Sequence, residues 1–285
     1  MVSITRNEPV AHYRFRHKIV AWVSQNMFGN MTYTVRHGLL TGMKRRGGLG
    51  FLPSWLISSM TETQELGFWR TYPLEDLTVY DIGAFEGLLT MYFSVRCKDV
   101  FAFEPHPRNL ARLRENLALN SIENVHVLPL AVGSTEGTVP LSMDSRMPGG
   151  ASADSHIGRG LPETESLSVV NVACITIDRE ISTGKLPPPD LMKIDVEGLE
   201  ASVLIGAQRT LSQYSPVLYI EMHGETRQLK IDNARLVLEQ LRQAGYDHLQ
   251  HLETGLRVGF SDALTAAEGH LVCTKSSLHP LVTIP

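Results

Sequence analysis

The sequence predicts an α/β fold, a mostly parallel sheet with helices on both faces. Three observations carry this. From Leu77 onward, short apolar runs alternate with stretches of helical periodicity, the pattern of a parallel sheet wrapped by helices. The first run (Leu77, Val79, Tyr80, Ile82) contains Asp81 at its end and leads into Gly83, Gly87 and the apolar helix Leu88, Leu89, Met91, Tyr92, Phe93. That is strand, glycine turn, helix. The second run, Val100 to Phe103, also ends in an acid, Glu104. Two acids at the ends of neighbouring strands mark the edge where open α/β sheets bind ligands.

Composition bounds the rest. A chain of 285 residues buries a full core, and one domain plus an appendage is the expected count. The hydrophobic fraction of 43% and charged fraction of 20% are those of a globular protein. A net charge of −4 gives no basic field for nucleic acid, so no such partner is expected. Cys97, Cys174 and Cys273 are far apart and show no CxxC spacing, which suits buried free thiols in a reducing cytoplasm. No apolar run reaches membrane-spanning length and the N-terminus shows no signal-peptide core, so a cytoplasmic location without a transmembrane segment is expected.

Residues 1–72 differ from the remainder. His12 to Phe28 can form an amphipathic helix with Phe15, Ile19, Trp22, Val23 and Met27 near one face. Arg36 to Phe51 is basic and glycine-rich, and Lys44, Arg45 and Arg46 read as a solvated loop in preference to a contact for an anionic ligand or membrane. Met60 to Arg70 looks helical and leads into Pro73. The expectation is an N-terminal helical lid or oligomerisation segment over 1–72, able to support a homo-oligomer, and a ligand-binding domain over 73–285.

Within that domain, Pro107 to Asn120 is a helix with Leu110, Leu113, Leu117 and Ala118 inward, and Val125 to Val132 is a third strand. Gly137 to Met143 and Val169 to Ile177 form an extended pair around a Gly/Ser-rich loop carrying Ser152, Ser155 and His156. Leu191, Met192 and Ile194 form a buried strand, with Lys193, Asp195 and Glu197 at alternate positions and hence towards one side. A helix follows Gly198 through Ala207. Pro216 to Met222 is a fifth strand, Asn233 to Ala244 a helix, and Tyr246 to Leu252 and Gly269 to Thr274 the closing strands. Two closing strands with an antiparallel reversal match a seven-stranded sheet better than a six-stranded dinucleotide sheet.

The first turn reads D-x-G-x-x-x-G, not the G-x-G-x-x-G that cradles a pyrophosphate. An acid with a glycine loop suits a cationic, phosphate-free nucleoside such as S-adenosylmethionine. Glu104 is placed to accept both ribose hydroxyls. His223 is the first candidate for a general base, because an imidazole titrates near working pH, with Asp195 and Glu221 able to orient it or to serve instead. Asp195, Glu197, Glu221 and His223 are also chemically able to gather a divalent ion. An ion-paired cluster with Lys193 is the preferred reading, and no metal is expected.

Five motifs in order and spacing, VYDIGAFEG, FAFEPHP with LRENLALN, LAVGSTEG, LMKIDVEGLE with VLIGAQRTL, and PVLYIEMHG, resemble the FkbM family of S-adenosylmethionine-dependent methyltransferases over roughly residues 77–224. The resemblance implies a class I, Rossmann-like methyltransferase sheet and O-methylation of hydroxyls on secondary metabolites or sugars. It implies cofactor-binding roles for Asp81, Gly83, Ala84, Phe85 and Gly87 in the first motif. Glu104 matches the ribose acid, Pro105 and His106 follow it against the adenine, and Leu130 and Ala131 match the strand end flanking the adenine. Asp195, Glu197 and Gly198 match KIDVEG; Glu221 and His223 match the E-x-H ending. The family usually has asparagine where this chain has Phe85. An NAD-dependent oxidoreductase and a non-catalytic nucleoside-binding protein are the rival readings. The missing pyrophosphate turn weighs against the first, and Phe85 is the best support for the second.

Overall fold

The computed structural model describes residues 30–47, 63–143, 151–152, 168–224 and 226–275. A short hairpin comes first, β1 (Thr32–Thr34) and β2 (Lys44–Arg46), followed by α1 (Gln64–Thr71). The Rossmann-like alternation then runs β3 (Thr78–Ile82), α2 (Leu88–Ser94), β4 (Asp99–Phe103), α3 (Pro107–Leu119) and β5 (Val125–Leu128). Four shorter or peripheral strands and a helix follow: β6 (Ala131–Val132), β7 (Gly137–Met143), β8 (Ala151–Ser152), β9 (Ser168–Ile175) and α4 (Ile177–Ser182). The second half comprises β10 (Leu191–Ile194), α5 (Glu200–Ile205), α6 (Gln208–Tyr214), β11 (Val217–Glu221), α7 (Arg227–Gln243), β12 (His248–His251), α8 (Ala263–Ala266) and β13 (His270–Thr274).

The main sheet has seven strands in the order β5-β4-β3-β10-β11-β13-β12. The pairs among β5, β4, β3, β10 and β11 are parallel, and β13 runs antiparallel to both β11 and β12. The expected reversal is therefore present, and the fold is the mostly parallel α/β sheet read from the sequence. All four residues of β10 are buried, as a central strand covered on both faces requires.

Strand alternation sorts side chains between two cores. Tyr80, Ile82, Met192, Ile194, Leu218 and Ile220 pack against α5, α6 and α7. Val79, Leu191, Val217, Tyr219 and Val272 pack against Phe68 and Trp69 of α1, Met91 and Phe93 of α2, and Leu113 and Leu117 of α3. Tyr33, Val35 and Leu40 of the N-terminal hairpin belong to this second core. The same parity that sends Val79, Leu191 and Tyr219 to the second face sends Asp81, Lys193 and Glu221 there too.

Several elements differ from the sequence reading. The third strand stops at Leu128. Pro129 has no N–H to donate to a ladder, and Ala131–Val132 leaves to pair with β9 in a second sheet, ordered β6-β9-β7-β8. Within that sheet β7 and β9 form the expected antiparallel pair. The helix after Gly198 is broken at Gly206 into α5 and α6. Helix α7 starts at Arg227, earlier than Asn233. Thr226 caps it, its hydroxyl accepting the Leu229 amide at 3.2 Å, and a polar first turn hides the apolar period. On α3 the expected Leu110, Leu113 and Leu117 are buried together with Asn109 and Asn116, while Ala118 is exposed. Lys44–Arg46 is a strand and not a solvated loop. The expected helix over His12–Phe28 and the loop residues Ser155 and His156 lie outside the described residues. All three cysteines are buried and free.

Gly206 shows how tightly the layers approach. A methyl at its Cα would stand 2.0 Å from the Gly133 carbonyl oxygen, and neither backbone can yield cheaply. Gly206→Ala is expected to cost about 1–3 kcal/mol, as overpacking does; urea unfolding with an unchanged midpoint would disprove this close approach.

Candidate active site

The glycine turn after β3 is wedged between β10 and α3. The amides of Gly83 and Ala84 both donate to the Phe103 carbonyl at 3.0 Å. Gly83 has φ 82°, and a Cβ there would lie 1.8 Å from the Asp195 carbonyl oxygen. Gly87 has φ 86°, and a Cβ there would meet Leu113 Cδ1 at 2.3 Å. Between them Phe85 takes φ 54°, the left-handed region that asparagine tolerates and phenylalanine does not favour. The turn nevertheless keeps its shape, because the Phe85 amide donates to Glu104 Oε2 at 2.8 Å.

Glu104 stands just past β4 and is buried. Its Oε1 accepts from the His106 amide at 2.8 Å and from Asn109 Nδ2 at 3.4 Å. Burial raises its pKa, and the amide donors oppose that rise. Oε1 thus accepts two donors, while Oε2 accepts only the Phe85 amide and keeps a lone pair for a further hydroxyl donor. His106 has a structural part as well. It caps α3, with Nδ1 accepting the Arg108 and Asn109 amides at 3.1 and 3.4 Å, and burial lowers its pKa. That nitrogen is committed to the helix. Leu130 is half-buried in the connection after β5, Ala131 opens β6, and the Leu128 carbonyl accepts the Glu104 amide at 3.1 Å. Pro105 is half-buried beside Glu104.

Lys193 joins the two halves of the sheet. It lies level with Asp81 in the β3/β10 register and is buried. Its Nζ donates to the Gly83 carbonyl at 2.8 Å and lies 3.2 Å from both Asp81 Oδ1 and Asp195 Oδ2. Burial disfavours the ammonium, but the charges of Asp81 and Asp195 outweigh it and hold the pKa above the ordinary lysine value. Asp81 Oδ2 is taken by the Thr90 hydroxyl of α2 at 2.5 Å. Asp81 therefore anchors the turn from below.

Beyond Asp195 the charges continue across the strand ends. His223, after β11, places Nδ1 3.6 Å from Asp195 Oδ1 and 3.4 Å from Glu200 Oε1, and Nε2 3.4 Å from Glu221 Oε1. Burial works against a charged ring, but Glu200, Glu221, Glu197 and Asp195 together raise its pKa to about 11. His270 bridges Glu253 at 2.5 Å and Glu221 at 3.5 Å, and these two acids, against burial, raise its pKa to about 9. Glu221 is held well below the ordinary carboxylate range by His223 and His270. The alternation of Lys193, Asp195 and Glu197 ends at Asp195: Glu197 has φ 53° and is exposed. One ligand atom from each of Asp195, Glu197 and His223 lies within 4.8 Å of the others, close enough for a cation, although Asp195 and His223 already face charged partners.

Sequence reasoning missed Thr90, Glu200, Glu253 and His270. Glu200 is fully buried and accepts the Gly198 amide at 3.0 Å and Asn233 Nδ2 at 2.5 Å. Its signal was an acid one turn after Glu197 in an otherwise apolar helix start. His270 reaches Glu221 only because β13 is antiparallel to β11.

Three outcomes follow from this arrangement. Lys193→Met leaves two carboxylates facing each other and is expected to lose about 3–5 kcal/mol of stability in urea unfolding; a loss below about 1 kcal/mol would remove Lys193 as the tie. Phe85→Asn relieves left-handed strain and is expected to gain about 1 kcal/mol in the same assay, whereas a loss would mean the ring's packing outweighs the strain. The raised His223 value means that its proton stabilises the fold below the ordinary imidazole pKa of about 6.5 and that this contribution fades as pH rises towards about 11. Wild-type stability should fall more steeply than that of His223→Gln between about pH 7 and pH 10; parallel curves would show a neutral ring.

Residues 81–247 match the Methyltransferase FkbM domain. The chain is 29% identical over 150 residues to hexuronic acid methyltransferase AglP of Haloferax volcanii, covering 53% of this chain and 57% of that protein. It is 25% identical over 148 residues to Methyltransferase 1 of Beauveria bassiana, covering 46% and 59% respectively. The chain thus spans rather more than half the length of these relatives. The crystal structure of methyltransferase FkbM from Methylobacillus flagellatus KT superposes with a TM-score of 0.47 at 19% identity, over 78% of this chain and 50% of that one. The methyl donor of the FkbM family is S-adenosylmethionine, and the residues here fit it: a left-handed backbone turn after β3, a buried carboxylate in Glu104 with acceptor capacity left on Oε2, and an acidic rim. With its FkbM domain match extending over more than half of its length, the chain belongs to the FkbM methyltransferase family.

Proposed function

We propose that the chain is an S-adenosylmethionine-dependent methyltransferase that methylates a hydroxyl on a sugar or secondary metabolite. The observation that carries the reading is the meeting of Asp81, the Gly83–Gly87 turn and Glu104 at one sheet edge, beside the Asp195–His223–Glu221 cluster. A sugar acceptor is supported by the name of the Haloferax relative. The antiparallel β13 departs from the all-parallel dinucleotide sheet, which weighs against the oxidoreductase reading. Among the described residues no helix is long and apolar enough to cross a membrane. For the segment before residue 73 the proposed role is that of a lid or an oligomerisation segment.

When bound, the cofactor supplies an activated methyl group and a neutral leaving group, so the protein's task is alignment and proton removal. Glu104 and the turn fix the nucleoside end. His223 holds its proton at rest, since four carboxylates surround it. It therefore serves first as a donor that orients the acceptor oxygen, a role different from the general base read from the sequence. Asp195, with Oδ1 3.6 Å from the ring, takes the hydroxyl proton. Glu221 keeps His223 charged and aimed.

Calorimetric titration with S-adenosylhomocysteine tests the cofactor site. Wild type should bind, and Glu104→Gln should lose about tenfold or more in affinity, the worth of a charge-assisted hydrogen bond. No binding by wild type would defeat the reading. The division of roles is tested by the pH dependence of kcat/KM. A donor role predicts activity that holds as the pH passes about 6.5 and declines only towards about pH 11, while a base role for His223 predicts activity that rises through the ordinary imidazole range. Asp195→Asn should cost about 10²–10⁴ in kcat.

A further inference from the structure

The FkbM match begins at Asp81, yet the cofactor turn is held from outside that region. Strand β2 lies along α3 through two asparagines one helical turn apart. Asn120 accepts the Lys44 amide and donates to the Lys44 carbonyl, each at 2.7 Å. Asn116, fully buried, accepts the Arg46 amide and donates to the Glu86 carbonyl, each at 2.9 Å. Between these two backbone clamps Arg45 projects to Glu86, with Nη2 2.9 Å from Oε2 and side chains only 17% and 25% exposed. The hairpin is itself fixed by the burial of Tyr33, Val35 and Leu40 against the core that contains α1.

Glu86 sits between Phe85 and Gly87, inside the turn. Left-handed backbone at Gly83, Phe85 and Gly87 brackets it on both sides. At Phe85 this conformation is unfavourable, and it is what aims the Phe85 amide at Glu104. A turn under such strain keeps its shape only while neighbouring contacts over-determine it. Asn116 holds the Glu86 carbonyl and Arg45 holds its carboxylate, so the N-terminal hairpin supplies part of that constraint. A desolvated Arg–carboxylate bond is stronger and more directional than an exposed one.

We propose that Arg45 is a positioning residue for the cofactor turn: through Glu86 it holds the Gly83–Gly87 backbone in the form that lets Glu104 receive the nucleoside. This rests on the methyltransferase reading. It makes residues 30–47 part of the cofactor site, reached through the Arg45–Glu86 pair.

The test combines calorimetry with S-adenosylhomocysteine, steady-state kinetics and thermal melting on wild type, Arg45→Met, Glu86→Met, the double variant and Arg45→Lys. Arg45→Met is expected to weaken S-adenosylhomocysteine binding and raise the KM for S-adenosylmethionine about tenfold. The kcat at saturation and the acceptor KM should stay within about twofold of wild type, since the contact shapes cofactor binding and not chemistry. Glu86→Met should show the same loss, the double variant no further loss, and Arg45→Lys a partial recovery. If Arg45→Met does not fold, Glu86→Met carries the same comparison. Unchanged cofactor affinity in the single variants, with wild type binding normally, would overturn the proposal even if the melting temperature fell. Additive losses in the double variant would also overturn it. Failure of wild type to bind would instead overturn the methyltransferase reading and this proposal with it.

Discussion

A single buried ammonium holds this site together. Lys193 lies in the central strand, where no charge is affordable without partners, and it finds three: the Asp81 carboxylate, the Asp195 carboxylate and the Gly83 carbonyl. Those partners come from the end of β3, the residue after β10, and the turn between β3 and α2. The ammonium therefore fixes the relative position of the two halves of the sheet at the edge where the cofactor turn leaves it. The close approach of Gly83 to the Asp195 carbonyl is the same constraint seen from the backbone. A side chain at position 83 would push apart what Lys193 pulls together.

From that tie the charges alternate outward. Asp81, Lys193, Asp195, His223, Glu221, His270 and Glu253 form an acid–base series running from β3 across β10 and β11 to β13. In the low-dielectric edge of the sheet each cation is held by at least two anions, which is why both histidines are raised well above their ordinary values. The acids outnumber the bases, so the rim presents net negative charge. That suits a cationic cofactor, and it removes the simplest reason for choosing His223 as a base: an imidazole ringed by carboxylates is already protonated.

The left-handed turn is the second constraint. Gly83 and Gly87 adopt it without strain, and Phe85 does so because Glu104, Asn116 and Arg45 surround the segment with hydrogen bonds. Asparagine at this position, usual in the family, reaches the same backbone conformation with less strain. Phenylalanine thus leaves the turn intact while increasing its dependence on neighbours, the N-terminal hairpin among them.

Much was legible in the chain itself. Period-2 and period-3.6 patterns are local, so the strand ends bearing Asp81, Glu104, Asp195 and Glu221 could be read from their own neighbourhoods. So could the glycine turn, because D-x-G-x-x-x-G is a contiguous pattern. The errors arose where distant contacts decide. Pro129 divides an apolar run that looks continuous, and a second sheet claims its far half. Lys44–Arg46 reads as solvated charge, yet Asn116 and Asn120, more than 60 residues away, make it a strand. His106 is read against the adenine, and its Nδ1 also caps α3. The sequence by itself determined the fold class, the glycine turn after the first sheet strand and the acids at its edge, since each depends on side chains close in the chain. Only the tertiary structure decided the charge on His223, the joining of His270 and Glu253 to the cluster, and the grip of Arg45 on the turn, because each depends on which strands and helices the fold sets side by side.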